Sequence, residues 1–305
     1  MVKVGSSLLL LANLSPYFIV PKRIYRLFLA ACLSVVSLPT ATYSQAVLPY
    51  TFKHNPRYLE DTSKGLLQQA AGFVQLQQQY EKAISRVALA TQLSPRNHEA
   101  WFFLGTLYVQ TQKYDKAIDA LRQGRAIKPQ DPDILFMLGS AYFQKGDYGK
   151  SIESLEAGLK IKPENNGALF DLGNAYYRSN KYSIAISQYQ KAIKRDPKFW
   201  AAINNIGLIS YELGDKNAAI ENWNRAISID PKAAEPLLAL AAALFSQGKQ
   251  LEAYTTAEKA LTLDSRYADI KYLKDNLWGD KLITDTKKLI QTPRMRNFIT
   301  KTPNS

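Results

Sequence analysis

Trp101-Phe102-Phe103-Leu104-Gly105-Thr106-Leu107-Tyr108, with Ala117 nine residues further on and Pro129 twelve beyond that, is the stretch that decides the fold. Its landmarks recur. Prolines stand at Pro95, Pro129, Pro163, Pro197 and Pro231, each 34 residues after the last, and Gly105, Gly139, Gly173 and Gly207 keep the same step. A fixed period of this size means stacked copies of one supersecondary unit, not a single globular core.

With Pro95 at position 32 of a 34-residue unit, the chain divides into 64–97, 98–131, 132–165, 166–199, 200–233 and 234–267. Apolar spacings of three and four give each unit two amphipathic helices, A and B. In the second unit Trp101, Leu104 and Tyr108 share one face of helix A, and Ala117, Leu121 and Gly124 share one face of helix B. The turn Gln112-Lys113-Tyr114-Asp115 is short and polar, so the two helices are expected to be antiparallel neighbours. Small residues hold position 20 (Ala83, Ala117, Ser151, Ala185, Ala219, Ala253) and position 27 (Ala90, Gly124, Gly158, Ala192, Ala226, Ala260). With glycine at position 8, they are expected to let helix backbones approach, while larger residues at position 24 (Val87, Leu121, Leu155, Tyr189, Trp223) fill the space between. Proline at position 32 lacks a donor and moves its predecessor out of the α region, which ends helix B.

Trp101-x2-Leu104-Gly105-x2-Tyr108, then Ala117, then Pro129, resembles the tetratricopeptide repeat (TPR) family. The likeness covers about two-thirds of the chain. It weakens at Ala70-Ala71 in unit 64–97 and at Ala241 and Ser265 in unit 234–267, as terminal units of a solenoid do. The resemblance implies an all-α, right-handed superhelical solenoid of about six helix-turn-helix units. Residues 268–292 are then expected to form capping helices, 47–63 an extended linker, and 293–305 a basic disordered tail.

The leader, 1–46, reads as a secretory segment. Pro21-Lys22-Arg23-Ile24-Tyr25-Arg26 precedes twelve largely apolar residues, Leu27 to Leu38, and a small/polar run ends at Ser44-Gln45-Ala46. Twelve apolar residues are too few to span a membrane, which takes about 20. Cleavage is expected after Ala46, with Val20 as the true start; alternatively, the apolar residues 5–20 form a separate membrane-seeking segment. Leu29-Ala30-Ala31-Cys32 also matches a lipobox, which makes Cys32 a candidate lipidation site. The chain resembles exported cyanobacterial TPR proteins, and the implied location is the periplasm or thylakoid lumen, associated with a membrane.

Composition excludes several function classes. One cysteine and two histidines, His54 and His98, permit neither an intrachain disulfide framework nor a Cys/His zinc site. No phosphate-binding glycine loop, GxSxG or HExxH occurs, so neither an enzyme nor a cofactor or small-molecule substrate is expected. The formal net charge is +13, yet units 98–233 carry 18 basic and 15 acidic residues. The excess lies at the ends: residues 1–46 hold four basic residues and no acid, and 266–305 hold nine basic and four acidic. No basic stripe interleaves with the aromatics, which argues against nucleic acid. The C-terminal end could instead contact an anionic membrane peripherally.

The family places the concave groove on helix A at positions 2, 5, 6, 9, 12 and 13. The resemblance therefore implies partner-binding roles for Phe102, Phe103, Phe136, Phe143, Phe170, Asn174, Tyr177, Arg178, Asn204, Asn205, Tyr211 and Phe245. Aromatic rings with amides between them suit an extended peptide. Some relatives clamp a chaperone's terminal carboxylate with two Asn plus Lys and Arg. Here Asn174 and Asn205 keep the Asn positions, but Phe170, Glu235 and Ala239 replace the cations, so that ligand is not expected. The implied function is a non-enzymatic scaffold for a protein or peptide partner, in its narrower form one that assembles a membrane complex such as a photosystem. The alternatives are an envelope lipoprotein scaffold and an inactive regulatory or targeting module for a cell-wall or glycosyl-transferring enzyme.

Overall fold

Twelve helices alternate A and B along the array in the computed structural model of the chain, which describes residues 55–77 and 79–301. The A helices are α1 (Pro56–Gln77), α3 (His98–Gln110), α5 (Pro132–Lys145), α7 (Asn166–Arg178), α9 (Trp200–Leu213) and α11 (Ala234–Ser246). The B helices are α2 (Tyr80–Leu93), α4 (Tyr114–Ile127), α6 (Tyr148–Ile161), α8 (Tyr182–Arg195), α10 (Lys216–Ile229) and α12 (Gln250–Leu263). Each A packs most closely on its own B, and each B on the next A. Among A helices, α3 also touches α5, α5 touches α7 and α9 touches α11. The array therefore curves with its A helices inside. The all-α solenoid is as expected.

Local chemistry sets the helix ends. Asn97, Asp131 and Asn165 cap α3, α5 and α7 by accepting hydrogen bonds from first-turn amides, and Pro132 follows the cap of α5. The A-to-B turn needs one left-handed residue in every unit from the second on. It falls at Gln112, Gly146, Asn180, Gly214 and Gly248, again 34 apart, with φ between 57° and 95°. B helices end at Leu93, Ile127, Ile161, Arg195 and Ile229, before the prolines. α12 ends at the equivalent Leu263 although Ser265 replaces proline, so the proline reinforces a stop that the next packing contact also imposes.

The glycine at position 8 does something more specific than letting backbones meet. A Cβ on Gly105 or Gly139 would lie 2.5 Å from Cγ of Leu121 or Leu155, and one on Gly207 would lie 2.6 Å from Nε1 of Trp223. Tyr189 covers Gly173 in the same way. The position-24 side chain of each hairpin thus lies on the bare face of its own glycine, and all four of these side chains are fully buried. Two small clusters form the N-terminal core. One large cluster then runs from Leu155 to Met295.

Two expected boundaries are corrected. The linker 47–63 is helical from Pro56, because α1 extends beyond the 34-residue unit and buries Ser63, whose hydroxyl donates to Ala90 O at 3.1 Å. The tail from 293 is helical to Lys301, because Pro293 starts a helix instead of breaking one and Met295 is fully buried. The signal peptide, Val20, Cys32 and residues 302–305 lie outside the described residues.

Gly139→Ala should destabilise the array by about 1–3 kcal/mol through overpacking against Leu155. Gly149→Ala in α6, where the added Cβ meets nothing closer than 3.9 Å, should leave stability unchanged or raise it by up to about 1 kcal/mol. Urea unfolding of the two variants checks the contrast.

Candidate functional site

The inner face formed by the A helices divides into an open part and a covered part. Beyond α12 the chain makes a 3₁₀ turn (Ser265–Ala268) and then forms α13 (Ile270–Asp275), α14 (Asp280–Ile290) and α15 (Pro293–Lys301). α14 packs against α11 and also against α9. The C-terminal segment therefore caps the last unit and also turns back over the A helices of the last two.

Specific bonds hold it there. Glu212, at the end of α9, accepts from the amides of Lys281 and Leu282 at 3.2 and 3.0 Å, which caps α14. Gly279 precedes that turn, and any Cβ there would strike the Glu212 carboxylate. Arg178, at the end of α7, donates to the backbone carbonyls of Lys274 and Asp275 at 2.6 and 3.0 Å, completing the C-terminus of α13. Tyr211 donates to Asp285 Oδ2 at 2.7 Å, and Trp278 donates from Nε1 to Glu235 Oε1 at 3.0 Å. Burial pushes the Glu235 carboxyl up to about 7, against the opposing pull of hydrogen bonds from Trp278 and Asn204.

An amide network lies under this cover. Tyr189 donates to Asn174 Oδ1 at 2.7 Å, and Asn205 Nδ2 donates to the same oxygen at 2.9 Å. Asn204 Nδ2 donates to Asn205 Oδ1 at 3.1 Å. Asn204 and Asn205 are buried, as are Tyr177 and Tyr211. Three of these sequence-expected partner residues are spent within the chain: Asn204 and Asn205 belong to the amide network and Tyr211 holds Asp285, while Tyr177 packs edge-on to Tyr182 at 5.6 Å between ring centroids. Arg178 is likewise committed to the chain's own carbonyls.

The aromatic positions are half-buried packing residues with one edge outward. Phe103 packs on the N-terminal cluster and Phe102 on the next one. Phe136 lies over Gly158, whose added Cβ would be 2.5 Å from its ring. Phe143 meets Tyr148 at 5.5 Å between centroids, Phe170 meets Phe199 at 5.1 Å, and Phe245 meets Tyr254 at 6.0 Å. The open part of the inner face runs from Phe102 and Phe103 on α3 to Asp171 and Asn174 on α7. Sequence reasoning passed over Tyr189 as a network hub, Trp278 and Gly279 as docking residues, and Asp171. Only the Trp278-Gly279-Asp280 stretch carried a visible signal, a tryptophan and a glycine outside the repeat pattern.

Of the nine basic residues after 265, Arg266, Lys271, Lys288 and Arg294 pair with Asp264, Asp275, Asp285 and Glu258 within 3.0 Å. The C-terminal end is therefore less available to an anionic surface than its composition implies. Among the described residues, no helix is long and apolar enough to cross a membrane, and no three His, Cys, Asp or Glu side chains gather as a metal site.

Stacked A/B hairpins with small-on-large contacts define the class, an all-α helical-repeat solenoid. Residues 105–234 match models of the tetratricopeptide repeat family: two "TPR repeat" matches cover 105–146 and 139–180, and a "Tetratricopeptide repeat" match covers 170–234. No curated protein matches the sequence. Among solved structures, PilW, titled a widely conserved type IV pilus biogenesis factor, is similar with a TM-score of 0.61 at 20% identity, over 70% of this chain and 98% of that one. YrrB, titled "a TPR protein with an unusual peptide-binding site", gives 0.51 at 20% identity over 59% and 94%. MamA from Desulfovibrio magneticus RS-1 gives 0.54 at 17% identity over 57% and 97%. At these identities the likeness is one of fold.

Glu235 makes the covered part pH-sensitive. Its folded value of about 7 lies above the ordinary 4.5, so between these values the folded chain keeps a proton that the unfolded chain has lost. Stability from this group is complete below about pH 4.5 and is lost as pH rises to about 7. The loss is at most roughly 3 kcal/mol. Glu235→Gln should remove that fall and make the protein more stable than wild type at pH 8, as read from urea midpoints across the range.

Proposed function

We propose that the chain is a non-enzymatic scaffold that binds a segment of a partner protein along the open inner face, from α3 to α7. One observation carries the reading. Half-buried rings at Phe102, Phe136 and Phe143 present edges on a face where Thr106 and Ser140 contribute only small side chains, and no segment of the described chain covers it as α14 covers α9 and α11. Aromatic edges bordering a shallow polar strip suit an extended peptide, whose side chains meet the rings while its backbone meets hydroxyls and amides. The fold is shared with YrrB, described as having an unusual peptide-binding site, and with PilW, described as a type IV pilus biogenesis factor. The YrrB description supports a binding role here.

The narrower reading is an exported scaffold, in the periplasm or thylakoid lumen and associated with a membrane, that assists assembly of a membrane complex such as a photosystem. Its support is the basic-then-apolar leader of residues 21–46. The envelope-lipoprotein version rests on Cys32 within Leu29-Ala30-Ala31-Cys32. Labelled fatty acid incorporated by wild type but not by Cys32→Ala would establish it, and equal labelling of the two would exclude it.

Thr106→Arg combined with Ser140→Arg should block the inner face and reduce recovery of crosslinked partner at least tenfold. Gln123→Arg with Ser187→Arg adds the same charge at exposed positions on the B helices and should leave recovery unchanged. Equal recovery in both doubles places the partner elsewhere.

A further inference from the structure

The open inner face carries a single enclosed and unanswered charge, Glu99 and Asp133 at position 2 being exposed to solvent. At positions 5, 6, 9, 12 and 13 of the units starting at 98, 132 and 166, only Asp171 and Arg178 are charged. Arg178 is spent on the carbonyls of Lys274 and Asp275. Asp171 makes no hydrogen bond or ion pair among the described residues, although it is mostly enclosed on α7. Its surroundings raise its carboxyl to about 6 through burial, with no neighbouring cation to offset that.

Its position in the ladder is informative. One repeat later the equivalent residue is Asn205, which is buried and bonded to Asn174 and Tyr189. One repeat earlier it is Met137, packed on the core. At position 6 the fold thus asks for an apolar or amide side chain. Asp171 satisfies neither demand, and an unpaired, largely desolvated carboxylate works against folding. A residue that costs the fold and receives nothing from it belongs to a site whose other half is absent. Asn174 stands one helical turn on, on the same side of α7. Its Oδ1 is occupied by Tyr189 and Asn205, while its amide nitrogen makes no bond within the described chain and remains free to donate to a carbonyl.

We infer that the open inner face takes a basic peptide segment, with a lysine or arginine side chain of the partner paired to Asp171, its backbone carbonyl on Asn174 and its apolar neighbours against Phe136 and Phe143. This rests on the inner-face reading above and adds the chemistry of the occupant. An acidic segment is disfavoured, because the face offers no free cation and already holds a carboxylate. A metal ion is disfavoured too, since no group of three His, Cys, Asp or Glu side chains gathers among the described residues.

The test is selection of a displayed library of random dodecapeptides on the full chain, followed by fluorescence anisotropy of the best selected peptide. Selected peptides should be enriched in lysine or arginine flanked by apolar residues. Asp171→Asn, which keeps the shape and removes the charge, should weaken binding roughly ten- to hundredfold. Replacing the peptide's cation with norleucine should cost as much, and combining the two changes should cost little more than either alone. Asp171→Asn should melt no lower than wild type; a lower melting temperature would show that Asp171 serves the fold and would overturn the inference. Unchanged affinity in Asp171→Asn, with affinity lost in Thr106→Arg/Ser140→Arg, would overturn the cation pairing alone. Binding indifferent to all of these variants, or no peptide selected, would overturn the inner-face reading as well.

Discussion

The contact on which everything else depends is a large side chain laid across a bare glycine. Leu121 on Gly105, Leu155 on Gly139, Tyr189 on Gly173 and Trp223 on Gly207 are one contact repeated four times. It sets how closely A approaches B within a hairpin. Because the packed side chain also reaches the next hairpin, it sets the stacking between repeats as well. The covering residue grows along the chain, from leucine through tyrosine to tryptophan. The two aromatics bring polar atoms with them, and there the inner face changes character. Leu155 can only fill space, whereas Tyr189 places a hydroxyl between Asn174 and Asn205. The amide network begins where the filler of the glycine notch becomes a hydrogen-bonding residue.

That explains which parts of the molecule were legible in the sequence. The solenoid was legible because its packing rule acts between residues of fixed spacing, and period alone reveals such a rule. The left-handed turn residue kept the same period but was hidden at Gln112 and Asn180, since neither is the glycine that usually marks such a conformation. The helices at 56–63 and 293–301 were missed because no repeat reaches them, and because the basic composition of 293–305 conceals a helix that Pro293 starts. Asn174 and Asn205 were expected to bind a partner, whereas both bond to Tyr189 and to each other. Their partners were not foreseeable, because a hydrogen bond from position 24 of helix B depends on tyrosine standing there in one repeat only.

The C-terminal segment was the least legible part, for a physical reason. Its docking draws on residues that are 36 to 97 apart in sequence. Each is an ordinary surface type until the chain folds back. Glu212 is an exposed-looking acid at a helix end until α14 presents two free amides to it. Arg178 is a groove residue until α13 presents carbonyls. Helix termini leave backbone groups unsatisfied, and α13 and α14 obtain part of what they lack from the inner face of the array. This chain therefore uses the inner face of its last two repeats to complete its own cap.

What remains open is better defined for that reason. The covered part shows how this inner face satisfies a segment: a carboxylate takes amide or indole donors, a guanidinium takes carbonyls, and buried amides bridge the repeats. Glu212, Arg178 and Asp285 all have partners there, and the one carboxylate whose charge is disfavoured, Glu235, still receives the Trp278 indole. The open part has the same construction up to α7 and then leaves Asp171 with nothing. Within one continuous surface built by one repeating contact, that contrast separates a carboxylate answered by the chain from one left to an outside partner.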